Sequence, residues 1–196
     1  MFENLKKDLR RYHHAEGAGG RRGAWARACV SYGFLAVALY RYGRWTRTIR
    51  PRWLALPFKI AYVMLKIPLE LLLGIDISVN ADIGPGLYIG HYGGIFLHCD
   101  AGSDLSVTQD VTIGYKGGGK SDRWPSVGSG VYIGAGAKVI GNIRVGDGVV
   151  IGANTVVTKD VPPYMRVVGA AVRMAPLAGA ASRPAAARNP AARSLR

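Results

Sequence analysis

The chain has 196 residues, enough for one hydrophobic core and too few for several large domains. Its formal net charge of +14 is unevenly placed: residues 1–75 hold 14 Lys and Arg against 4 Asp and Glu, residues 76–174 hold 8 against 8, and residues 175–196 hold 4 against none. Cys29 and Cys99 lie too far apart to suggest a disulfide framework or a thiolate metal site, a pattern that suits a reducing, cytoplasmic compartment.

Residues 1–23 are polar, basic and Gly-rich, and no apolar run with a cleavage site follows them in the order of a signal peptide, so the segment reads as a mobile lead-in. Residues 24–75 form an apolar, helical region with two hydrophobic stretches. Ala28–Tyr40 is too short to span a bilayer, and Trp53–Leu73 has the length but carries Lys59, Lys66, Glu70 and two prolines. In a helix these three charges share one side, leaving a wide apolar surface of Leu56, Phe58, Ile60, Met64, Leu65, Ile67 and Leu71. Such a helix packs within an oligomer or lies in a membrane interface, where Arg41, Arg44, Arg47, Arg50 and Arg52 would face anionic headgroups. The expectation is therefore peripheral contact with the inner face of the cell membrane. Apolar runs between the charges argue against a nucleic-acid arm.

From residue 76 onward a period of six dominates. Aliphatic residues or Ala open successive hexapeptides at Ile77, Ile83, Ile89, Ile95, Ala101, Val107 and Ile113, and after a jump of fourteen residues at Val127, Ile133, Val139, Val145, Ile151 and Val157. Six belongs to neither an ordinary helix nor an ordinary strand. It marks a mainly β fold, a parallel β-helix over 76–174, with three short strands per coil, about four coils, and the openers stacked into a core. The jump places a loop at 114–126. Residues 175–196 are Ala, Arg and Pro with almost no large apolar side chain, and read as a disordered tail.

Within the loop, Gly114-Tyr-Lys-Gly-Gly-Gly119-Lys120-Ser121 satisfies the phosphate-loop pattern to the letter. That pattern needs a helix starting at its Lys-Ser end, and Asp122-Arg-Trp-Pro125 followed by renewed hexapeptides leaves no room for one. The stretch reads instead as a loop thrown out of a rigid scaffold, a common place for binding groups.

The segment from Asp76 to His91, the loop from Thr112 to Pro125, the run Ile133-Gly-Ala-Gly-Ala-Lys-Val-Ile-Gly-Asn-Ile-Arg-Val-Gly and Val156-Val-Thr-Lys-Asp-Val-Pro-Pro together resemble the serine acetyltransferase branch of the left-handed β-helix acyltransferases. The resemblance covers residues 74–174. It implies a homotrimer of triangular prisms, with acetyl-CoA in the groove between neighbours and no metal. His91 falls where the family has its catalytic base and Asp76 where it has the carboxylate that orients the base. An alcohol attacks a thioester only once its proton is removed, which an imidazole can do near neutrality. Taken alone, His91 could be a solvent-facing turn residue; the Asp76 spacing and the downstream loop favour catalysis. His98 has no family counterpart and reads as a turn residue. By the same resemblance, Ala135 and Ala153 line the pantetheine arm, and Thr158, Lys159 and Arg173 meet the remainder of the coenzyme. A metal hydratase on this fold would need three histidine ligands, and the solenoid offers two.

Two departures bear on the acceptor. The family has Asp before the catalytic His, where this chain has Gly90, and His before the loop proline, where this chain has Trp124 beside the retained Arg123. Arg123 and Trp124 are taken as substrate-binding, with the indole as a stacking platform for a sugar ring, though Trp124 could equally be a packing residue under the loop. Some bacterial exopolysaccharide acetyltransferases resemble this chain in having a short apolar N-terminus on such a prism. The expectation is thus an acetyl-CoA-dependent O-acetyltransferase acting on a carbohydrate hydroxyl in exopolysaccharide or capsule biosynthesis. Serine O-acetylation in cysteine synthesis and a non-catalytic trimeric scaffold are the alternatives.

Overall fold

The computed structural model describes residues 2–17, 23–117 and 123–169. Four helices come first: α1 (Phe2–Gly17), α2 (Ala24–Val30), α3 (Tyr32–Thr46) and α4 (Leu56–Leu73). Thirteen short strands follow in three parallel sheets. One face holds β1 (Ile75–Ile77), β3 (Ile95–Leu97), β6 (Thr112–Gly114), β9 (Lys138–Ile140) and β12 (Val156–Val157). The second holds β4 (Asp100–Ala101), β7 (Ser126–Val127) and β10 (Arg144–Val145). The third holds β2 (Tyr88–Ile89), β5 (Ser106–Val107), β8 (Tyr132–Ile133), β11 (Val150–Ile151) and β13 (Arg166–Val167).

The hexapeptide openers point inward as the period predicts. All are buried except Ala101, which is partly buried against the same core. Most residues four places on, among them Leu87, Leu105, Val111, Val131 and Val149, are also buried, so most hexapeptides send two side chains inward. Successive coils stack in register, as in Ile89↔Val107↔Ile133↔Ile151. The predicted interruption lies between β6 and β7, and its residues 118–122 fall outside the described set.

The first coil has a neighbour on one side only, so the backbone groups pointing the other way need partners from elsewhere. Helices α1 and α3 supply them. Asp8 Oδ1 accepts from Gly86 N at 2.6 Å and Leu87 N at 2.9 Å, and Tyr12 Oη accepts from Ile89 N at 2.8 Å. Tyr40 Oη donates to Ala81 O at 2.8 Å and accepts from Ile83 N at 3.1 Å. Arg41 donates to Asp8 Oδ2 at 2.9 Å and to Gly84 O at 2.7 Å, with Arg41 and Asp8 4% and 0% exposed. Gly33 of α3 permits this approach, because a Cβ there would collide with Ile89 O and the Tyr12 hydroxyl.

The reading of residues 1–23 as a mobile lead-in is therefore corrected. Residues 2–17 form a helix whose Asp8, Arg11 and Tyr12 are spent on the edge of the solenoid. The apolar region of residues 24–75 is helical as expected, broken at Ser31 and again between α3 and α4. Among the described residues no helix is long and apolar enough to cross a membrane. The tail lies outside the described set.

Replacing Asp8 by Ala leaves the Arg41 guanidinium buried without its counter-charge. Unfolding free energy measured in urea is expected to fall by about 3–5 kcal/mol. A loss below about 1 kcal/mol, the scale of an exposed pair, would show that the edge is not held this way.

Candidate functional site

Strand register sorts the site residues onto columns that run along the prism. Two places after Ile89, Val107, Ile133 and Ile151 stand His91, Gln109, Ala135 and Ala153, so these four share one corner. Gly136 N donates to Gln109 O at 3.0 Å and Asn154 N to Ala135 O at 2.7 Å, which ties the corner from coil to coil. His91 is exposed there, half-buried Gln109 stands next to it, and beyond Gln109 only the methyl groups of half-buried Ala135 and exposed Ala153 project. With coils spaced about 4.8 Å apart, the corner offers a shallow track three steps long ending at an imidazole. A larger side chain at either alanine would fill it.

Asp76 lies on the adjoining face, in β1, level with Phe96 of β3. Its Oδ2 is 3.0 Å from His98 Nε2, and its Oδ1 accepts from Lys66 Nζ of α4 at 3.2 Å. In this single protomer the carboxylate thus pairs with His98, while His91 stands free at its corner. His98 does lie outside the strands, between β3 and β4, but it is not an idle turn residue, because it pairs with Asp76 and its ring meets Tyr115 edge-on at 6.4 Å. Its signal in the sequence was parity, because outward side chains two apart on neighbouring strands are diagonal neighbours.

Lys66 Nζ also stands 2.7 Å from Glu70 Oε1, an ion-pair distance without hydrogen-bond alignment. Burial by itself pushes the Asp76 carboxyl up, but hydrogen bonds from His98 and Glu70 and the Lys66 charge outweigh it and hold it below its ordinary value. Glu70 moves the opposite way, with burial the leading cause. The two carboxyl groups therefore differentiate, with the charge held on the one that faces His98. Cys99, wholly buried, has its thiol pushed up to about 12 by burial, which excludes it as a nucleophile.

The loop residues stand at the opposite edge of the Asp76 face. Tyr115, Arg123, Trp124, Asp100, Asn142 and Arg144 line an open groove of about 730 Å³. Trp124 donates its indole N–H to Asp100 Oδ2 at 2.9 Å and tilts against Tyr115 at 5.8 Å. Thr158 falls in the column of His98, Gly114 and Ile140, with Lys159 next to it, both exposed. The structure thus brings His91, Ala135 and Ala153 together, and separately brings Thr158, Lys159, Arg123 and Trp124 to the other edge with His98. Arg173 lies outside the described residues. Among those described, no group of three or more His, Cys, Asp or Glu could hold a metal ion.

Known proteins agree with this architecture. The family model for the bacterial transferase hexapeptide (six repeats) matches residues 125–159. A serine acetyltransferase of Escherichia coli (strain K12) is 38% identical over 144 residues, 72% of this chain and 50% of that protein. One from Synechococcus elongatus is 34% identical over 171 residues, 86% of this chain and 66% of that protein. Among solved structures, the Neisseria gonorrhoeae serine acetyltransferase superposes with a TM-score of 0.70 at 31% identity, covering 86% of this chain and 64% of that one. The Brucella abortus serine acetyltransferase in complex with coenzyme A superposes with a TM-score of 0.69 at 28% identity, covering 87% and 66%. The chain spans about half the length of the first curated relatives it matches.

Three stacked parallel sheets, an apolar column at each sixth residue and these structural likenesses define a left-handed β-helix with a short helical N-terminal region. Residues 125–159 carry the bacterial transferase hexapeptide, and the chain is similar to serine acetyltransferases over 72% of its length. The carbohydrate acceptor expected from the sequence is overturned, since the relatives above are named for serine and not for a sugar. Trp124 itself stands in the wall of the open groove, with its indole N–H donated to Asp100 and its ring tilted against Tyr115.

The depressed Asp76 carboxyl yields a pH dependence. A folded-state value below the unfolded one contributes stability that is present above the ordinary carboxylate pKa and is lost as pH falls through the folded value. Asp76→Asn is expected to be less stable than the parent at neutral pH, with the gap closing only below about pH 4. Urea unfolding of both proteins across that range checks it, and a gap independent of pH would count against a charged Asp76.

Proposed function

We propose that this chain is an acetyl-CoA-dependent serine O-acetyltransferase. The observation that carries the reading is the likeness to serine acetyltransferases over 72% of the chain, coupled with an imidazole at the end of an alanine-lined corner. The same comparison supports acyl transfer as the reaction and acetyl-CoA as the donor, because one structural neighbour is a complex with coenzyme A.

Bound acetyl-CoA supplies an activated acyl group as a thioester. Ala135 and Ala153 leave room for its extended arm, and Thr158 and Lys159 add a hydroxyl and a cation for its polar end. His91 takes the proton of the serine hydroxyl as the new C–O bond forms, and returns it to the departing sulfur as the C–S bond breaks. Backbone amides along the groove stabilise the oxyanion, so no covalent enzyme intermediate is needed. Arg123 meets the carboxylate of serine in place of the family residues that Gly90 and Trp124 have replaced.

Donor-track and loop residues lie at different edges of one face, so a single protomer does not close around two substrates. A homotrimer resolves this. The His91 corner of one copy faces the loop edge of the next, and acetyl-CoA lies in the groove between them.

Release of free thiol from acetyl-CoA is expected to accelerate with L-serine and not with free sugars. His91→Ala should lower kcat/KM by about 10²–10⁴-fold, the range of a general base. Ala153→Trp should raise KM for acetyl-CoA while leaving the fold intact by circular dichroism. Thiol release indifferent to serine, or unaffected by loss of His91, would sink the reading.

A further inference from the structure

Helix α4 is bound to the rest of the molecule along one narrow side. Tyr62 and Leu73 are its buried residues, and Lys66 and Glu70 on the same side reach Asp76 or each other. The opposite half carries no polar residue. Leu56, Ile60, Met64, Ile67 and Leu71 follow at steps of three and four along one line, flanked by Leu65 and Leu72. All are exposed, Leu71 and Leu72 at 81% and 79%. The turn before the helix adds Trp53, 74% exposed, and Leu54. An apolar face of this length does not stay in water without a partner.

The flank of that face names the partner. Beside the N-terminal half of α4 lies a cavity of about 600 Å³ with Arg47, Arg50, Arg52 and Lys59 on its walls and no acidic side chain. Arg47 donates to Asn80 at 2.6 Å, whereas the side chains of Arg50, Arg52 and Lys59 make no hydrogen bond or ion pair among the described residues. Clustered cations oppose a two-fold contact of this surface with its own copy and attract an anionic surface. No described helix can cross a membrane, so α4 can only lie in the interface plane, its apolar half in the acyl boundary and the cations at the phosphates.

We infer that α4 and the turn before it form a docking surface for an anionic phospholipid bilayer. The inference stands on exposure and charge and is independent of the acetyl-transfer reading. It is tested by floating the full chain with vesicles of phosphatidylcholine alone and of phosphatidylcholine and phosphatidylglycerol in equal parts. The protein is expected to float with the anionic vesicles and to be released by salt, with a blue shift of tryptophan emission that Trp53→Phe diminishes. The triple variant Arg50→Glu, Arg52→Glu, Lys59→Glu should partition about 100-fold more weakly. It should keep its thiol-release activity in the absence of vesicles, because none of the three residues belongs to the groove. Leu71→Asp should also weaken flotation without changing the far-ultraviolet spectrum. Failure to float with the anionic vesicles, or equal flotation of the parent and the triple variant, overturns the proposal. So does a lipid-indifferent assembly that Leu71→Asp breaks apart, which would make the face an interface between copies.

Discussion

A coil of a β-helix is satisfied only by the coil above and the coil below it, and the first coil has nothing below. Everything at the N-terminal end follows from that. Gly86 N, Leu87 N and Ile89 N, with the carbonyls of Ala81 and Gly84, would be left facing water or a foreign strand. The chain meets them with side chains rather than another strand: one carboxylate, two guanidinium groups and two phenols borne on α1 and α3. Asp8 and Arg41 have no water to lean on, so each is held by the other and by backbone. A side-chain cap of this kind ends a sheet without offering an edge for another chain to extend. That suits a protein whose remaining coils must stay in strict register to align a functional column.

Register is also what gives the site its layout. Each coil contributes one residue to a corner, so groups far apart in sequence, such as His91 and Ala153, stand in line without any direct contact. The same regularity prevents one protomer from wrapping a ligand, since a straight corner is convex. Charge follows the same division: the solenoid is balanced and the basic excess is confined to its flanks. Attraction for anionic surfaces is thereby separated from the chemistry of the groove.

The solenoid was legible in the sequence because its signal is local and periodic: the openers from Ile77 to Val157 are the core, residue by residue. The interruption at 114–126 was legible for the same reason. The role of α1 was not, because the partners of Asp8 and Tyr12 are backbone atoms more than seventy residues away, which no composition or period marks. His98 was missed on similar grounds. It becomes a neighbour of Asp76 only once β1 and β3 are paired, and family likeness pointed to His91 instead. The acceptor was misjudged because two departures, at Gly90 and Trp124, were given more weight than the likeness that runs through the rest of the prism.

Helix α4 joins these parts. Its inner side delivers Lys66 to Asp76, where that cation helps hold the carboxyl ionised against the cost of burial, and its outer side is the apolar face. The two sides belong to one helix that ends at Gly74, a residue in the left-handed conformation with φ 61° that turns the chain directly into β1. A displacement of the helix therefore cannot leave Asp76 untouched, since Lys66 moves with Leu71 and β1 begins two residues after Leu73. The charge that faces His98 thus depends on where α4 sits, although the helix lies outside the solenoid.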